Sequence, residues 1–157
     1  MAKFEKKKKK SAPGISSGSL PDIVFMILFF FMVTTVMREV ELKIELRNKD
    51  LPEATEINRL EKKSLVSYIY VGRPLPQYQS LYGTEPRIQL DDAFADVRDI
   101  YEFILAERAK RDEVEIPFMT TSLKVHVETK MGIVTDIKQE LRKASALKIN
   151  YSARKLD

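Results

Sequence analysis

No cysteine occurs among the 157 residues, which excludes a disulfide framework, a thiolate zinc site and a cysteine nucleophile. Histidine is almost as scarce. The single copy, His126, has no second histidine for a metal site and no cysteine for a nucleophile-base pair. Only five glycines are present, and none sits in a phosphate-cradling loop. The chain therefore reads as a non-enzyme with no metal and no organic cofactor.

Net charge is missing from most of the chain as well. The surplus of 27 Lys and Arg over 23 Asp and Glu is concentrated at one end, where Lys3, Lys6, Lys7, Lys8, Lys9 and Lys10 face only Glu5. From Arg38 onward 21 basic and 21 acidic residues cancel. A neutral body offers no basic groove for DNA or RNA, so no nucleic-acid partner is expected.

What the chain does contain is one long apolar run, LPDIVFMILFFFMVTTVM, at residues 20–37. Residues 23–33 are apolar on every helical face, whereas a soluble core helix carries a polar stripe. Eighteen helical residues span about 27 Å, close to the roughly 30 Å of a bilayer's hydrocarbon. The spacing predicts a transmembrane helix over 19–37. The run is longer than a signal-peptide core, and TTVMREVELK behind it offers no small-x-small cleavage site, so an uncleaved anchor is expected. Lys6 to Lys10 hold a basic tail, residues 1–18, in the cytoplasm against anionic headgroups, and the neutral body is translocated.

Behind the membrane, residues 38–157 read as a small two-layer α/β domain of order β-β-β-α-β-α-β. VELKIEL alternates with Val40, Leu42, Ile44 and Leu46 on one face and predicts the first strand. LVSYIYV predicts the second, and a long hairpin loop over 73–86 leads to a short third strand at 87–90. Tyr78 and Tyr82 in that loop are expected to pack on the domain. A helix beginning at Asp91 or Asp92 is expected to turn Phe94, Val97, Tyr101, Ile104 and Leu105 inward. Asp91, Asp92, Asp96 and Asp99 suit a first helical turn better than a metal site. SLKVHVE predicts a strand with Leu123, Val125 and Val127 inward and His126 outward. A helix over 131–144 uses Ile133, Val134, Ile137 and Leu141, and a last strand alternates Leu147, Ile149 and Tyr151.

One residue does not fit a purely apolar span: Asp22. Two readings are open on the residues alone. Ser19-Leu20-Pro21-Asp22 is a capping-box pattern, with Pro21 tolerated in the first turn and the acid meeting free amides. Alternatively, an acid inside the bilayer, where its charge costs about 2.5 to 3.5 kcal/mol, faces a bundle interior or a water path and serves as a proton carrier. Desolvation favours its neutral form, and the membrane potential supplies about 2.3 kcal/mol per charge per 100 mV. A single helix does not enclose its own acid, so this second reading demands partners.

The basic tail, PDIVFMILFFFMV with its leading acid, VELKIEL followed by Leu51-Pro52, and KVHVETKMGIVTDIKQELRKASALKINYS together resemble the ExbD/TolR family of biopolymer-transport proteins. The resemblance implies that Asp22 carries protons as the coupling ion of an inner-membrane motor in a Gram-negative cell. It further implies a homodimer inside a pentamer of a polytopic ExbB- or TolQ-like subunit, passing force to a TonB- or TolA-like periplasm-spanning protein. An ExbD-like role ranks before a TolR-like one. The rival is a passive, signal-anchored periplasmic adaptor in which Asp22 only caps.

Overall fold

The computed structural model describes residues 18–35, 40–57, 59, 60 and 62–155. They fall into two compact units, one up to Glu39 and one from Val40 onward.

In the first unit the apolar run forms helix α1, Leu20–Thr34, 15 residues with none buried. At 1.5 Å per residue it is about 22 Å long. Among the described residues no helix is long and apolar enough to cross a membrane. The expected span of 19–37 is thus seen as a shorter helix, with residues 36 and 37 outside the described ones. Its end is tied locally: Thr34 Oγ1 donates to Phe30 O at 2.8 Å, and Thr35 Oγ1 donates to Phe31 O. Such back-bonding satisfies carbonyls that the last turn would leave open.

The second unit is built on a mixed five-stranded sheet of order β4-β3-β2-β5-β6. Its strands are β2 (Val66–Gly72), β3 (Arg87–Leu90), β4 (Ala93–Ala95), β5 (Thr120–Val125) and β6 (Ile149–Tyr151). Strand β2 is central, antiparallel to β3 and parallel to β5. Two short strands, β1 (Glu53–Ala54) and β7 (Arg154–Lys155), pair separately in parallel. A seven-residue helix α2 (Pro76–Tyr82) lies between β2 and β3, α3 (Asp99–Ala109) follows β4, and α4 (Met131–Lys143) connects β5 to β6.

One core joins sheet and helices. Ile69 and Val71 of β2, Ile88 and Leu90 of β3, and Leu123 and Val125 of β5 come from alternate positions, hence one face. Against them pack Ile100 and Ile104 of α3 and Val134, Ile137 and Leu141 of α4. The predicted inward stripe of the last helix is the observed one, because spacings of three and four place those residues on one side.

Four expectations are corrected. VELKIEL is not a strand of the sheet: it is an extended strap whose one β-bridge joins Ile44 to Pro74. Glu45 N–H donates to Arg73 O and Leu75 N–H donates to Lys43 O, each at 2.8 Å, and the ladder goes no further because the Gln89 side chain takes the strap's next backbone groups. Lys43 N–H donates to Gln89 Oε1 at 2.8 Å, while Gln89 Nε2 donates to Glu41 O at 2.7 Å and to Asp91 O at 2.8 Å. Ile44 is 2% exposed, so the alternation reported a buried side chain correctly. Truncating Gln89 to Ala is expected to cost about 1–3 kcal/mol, the penalty for a buried polar group left unsatisfied. Amide hydrogen exchange checks it: Lys43 loses protection while β2 and β5 keep theirs.

The second correction concerns the loop over 73–86, which contains α2. Tyr78 and Tyr82 pack as expected, with ring centroids 6.0 and 4.5 Å from that of Phe94. Third, Asp91 and Asp92 do not begin a helix. Asp91 has φ 48°, a turn conformation Asp tolerates better than most residues, and the chain folds back as β4 along β3. Helix α3 starts at Asp99, whose carboxylate accepts from Asp96 N–H at 2.8 Å. Ile100 and Ile104 are buried, whereas Tyr101 and Leu105 are exposed, so the inward face is rotated from the expected one. Fourth, Val127 and Leu147 lie outside their expected strands and are exposed, as is Tyr151 at the end of β6.

The sheet's other face carries Lys124, whose Nζ stands 5.0 Å from the Tyr68 ring centroid and 5.5 Å from that of Tyr70. Desolvation, aided by Lys63, lowers the Lys124 pKa below its ordinary 10.5. At Lys124 the unfolded chain then binds more protons than the folded one just below pH 10.5, so this residue's contribution to stability rises with pH through that window, opposite in sign to those of Tyr70 and Lys110, whose pKa values are raised. Lys124→Met is expected to flatten this rise, read from urea midpoints across alkaline pH.

Candidate functional site

The site is the first turn of α1. Its start is dictated by Pro21, which occupies the second helical position, where its missing N–H is no loss. Ser19 stands at the N-cap and its carbonyl accepts from Ile23 N–H at 3.1 Å. The capping-box expectation is corrected in one respect. Ser19 has helical angles, φ −91° and ψ −17°, rather than the extended ones of a capping residue, and its side chain makes no capping hydrogen bond. The Ser19 hydroxyl therefore does not account for the helix start; Pro21 and Asp22 remain as its local determinants.

Asp22 is the acid of this first turn. At that end of a helix the unpaired amides and the backbone dipole favour a negative charge. Three and four residues on, Phe25 and Met26 share its side, followed by Phe29 a further turn away. A carboxyl so placed has amides at its own level and only apolar side chains below. Among the described residues of α1 none is buried. Lys6 to Lys10 lie outside the described residues.

Among the described residues no group of three or more His, Asp and Glu side chains is placed to hold a metal. Two of the aspartates around the α3 start bind backbone: Asp92 Oδ1 accepts from Glu41 N–H at 2.9 Å and Asp99 Oδ2 accepts from Asp96 N–H. His126, just past β5, donates its backbone N–H to Val71 O, and its Nδ1 accepts from Glu128 N–H at 3.1 Å. Arg73 and Glu128 form an exposed ion pair at 3.4 Å. What sequence reading missed is Gln89, fully buried and holding the strap; its only signal was a polar residue within the apolar strand RIQL.

A family model described as biopolymer transport protein ExbD/TolR matches residues 8–155, nearly the whole chain. No curated protein and no solved structure matches it.

Proposed function

The chain belongs to the ExbD/TolR family of biopolymer-transport proteins, and from that premise we propose that it is the proton-coupled subunit of an inner-membrane motor, with Asp22 as the proton carrier. The observation that carries this reading is the acid in the first turn of a long apolar helix none of whose described residues is buried. An apolar helix left uncovered calls for lipid or protein around it. In this reading the apolar run crosses the membrane with the lysine-rich end in the cytoplasm.

The spans of two copies sit inside a polytopic ExbB- or TolQ-type ring, which supplies the enclosure one helix lacks. Asp22 is charged where it meets its own first-turn amides or water, and neutral where it turns against apolar neighbours. Alternation between these states, driven by the membrane potential, rotates or shifts the helix pair relative to the ring. The α/β body, on the periplasmic side, passes the motion to a TonB- or TolA-like protein. We favour an ExbD-like over a TolR-like role. Exchange of Asp22 for Asn tests the whole proposal, since Asn keeps a polar side chain of the same shape and carries no proton. A passive adaptor retains full function in that variant; a motor loses it.

A further inference from the structure

Helices α3 and α4 pack on one face of the sheet, the face of Ile69 and Leu123. Partners across a ladder share a face, and successive residues alternate between faces. Val66 pairs with Thr120 and Ser122 pairs with Asn150, so Val66, Thr120 and Asn150 belong to the other face. There, at the start of β2 and β5, lies a cavity of about 600 Å³, a volume ordinary for a small-molecule site.

The lining is of two kinds. Val66 and Thr120, each 8% exposed, form the buried floor. Above them stand three exposed cations, Arg59, Lys62 and Lys148, and the ring of Phe118, which is 61% exposed. No Asp or Glu lines the cavity, and none of the three cations is in an ion pair among the described residues. The Thr120 hydroxyl and the Asn150 side-chain amide likewise make no hydrogen bond among the described residues.

Each kind narrows the ligand. Like charges facing one concave space are relieved by an anion, and three of them suit a doubly charged one. A phosphate monoester carries about −1.5 to −2 at neutral pH and presents three strong acceptor oxygens, which the Thr120 hydroxyl and the Asn150 amide can also serve as donors. A bare inorganic ion would leave the Phe118 ring in water. That apolar surface is covered only when the ligand brings an apolar group of its own.

We infer that this cavity binds a phosphate monoester bearing an aromatic or hydrocarbon group, with the phosphate held by Arg59, Lys62 and Lys148 and the apolar part laid against Phe118 and Val66. The same chemistry is found in a soluble organophosphate and in the head of a phosphatidic acid. Nothing in it depends on the proton role of Asp22.

The test uses the full chain in uncharged detergent and reads the amide resonances of Thr120 and Asn150, which report on the cavity and not on the N-terminal lysines. Phenyl phosphate is expected to shift both, with an affinity about tenfold or more above those of inorganic phosphate and benzyl alcohol, each of which carries half of its chemistry. Lys62→Ala combined with Lys148→Ala weakens binding about tenfold or more, Lys62→Arg combined with Lys148→Arg retains it, and added salt weakens it in the wild type. Phe118→Ala removes the preference for phenyl phosphate over inorganic phosphate and leaves the binding of inorganic phosphate as it was. The altered side chains are exposed, so urea midpoints are expected to stay at the wild-type value. Phosphatidic acid dispersed in the detergent, set against phosphatidylcholine, separates the sources: shifts at Thr120 and Asn150 with phosphatidic acid mark a lipid, and shifts with phenyl phosphate alone mark a soluble ester. Absence of shifts with either ester, equal affinity for phenyl phosphate and inorganic phosphate, or full affinity in the double Ala variant overturns the inference. Asp22→Asn is expected to bind phenyl phosphate as the wild type does, whatever becomes of the motor.

Discussion

Cells carrying Asp22→Asn are expected to lose energised transport to the level of a strain without the protein, while the complex still assembles. Asn matches Asp in shape and in its capacity to accept from first-turn amides, so the helix start is kept. What is lost is the only titratable group between Leu20 and Thr34. Without it no charge appears or disappears as the helix changes neighbours, and the potential, worth about 2.3 kcal/mol per charge per 100 mV, has nothing to act on. Asp22→Glu retains a titrating group one methylene further out and is expected to keep partial function. Co-purification of the polytopic subunit with each variant separates loss of coupling from loss of assembly. Wild-type uptake by the Asn variant, with assembly intact, would falsify proton carriage by this residue.

Ile137→Ala is expected to be the most damaging single truncation in the body, at about 2–5 kcal/mol. Ile137 is 0% exposed and central in the core shared by α4, α3 and the sheet. Its removal loses both transfer energy and packing, out of a domain stability of about 5–15 kcal/mol. Leu105→Ala is the informative contrast. Periodicity assigned Leu105 to the core, yet it is 43% exposed, so its truncation is expected to stay near the surface range of about 0.5 kcal/mol. Urea midpoints at unchanged slope read both values. Equal losses at the two positions would contradict the rotation of α3.

How far residues disclosed the structure depended on whether the signal was local. The apolar helix with Pro21 in its first turn, the α4 stripe of Val134, Ile137 and Leu141, and the strands at Val66, Arg87 and Ile149 were legible because side-chain period and turn chemistry act within a few residues. So was the packing of Tyr78 and Tyr82, although their segment also holds a helix. Asp91 and Asp92 misled because a helix cap and a tight hairpin use the same residue types, and only pairing of β4 with β3 decides between them. Val40 to Leu46 misled for a similar reason. Alternation specifies which side chains are buried, and it does not specify whether the backbone bonds go to a strand or to a side chain such as Gln89.

By itself the sequence determined where an apolar helix forms, that it carries one acid, and that the net charge is concentrated at one end. These follow from composition and short-range spacing. Only the tertiary structure decided which face of α3 turns inward and that Gln89 holds the strap. Those depend on contacts between positions far apart in the chain, whose cost in loop entropy is recovered only when the whole sheet forms.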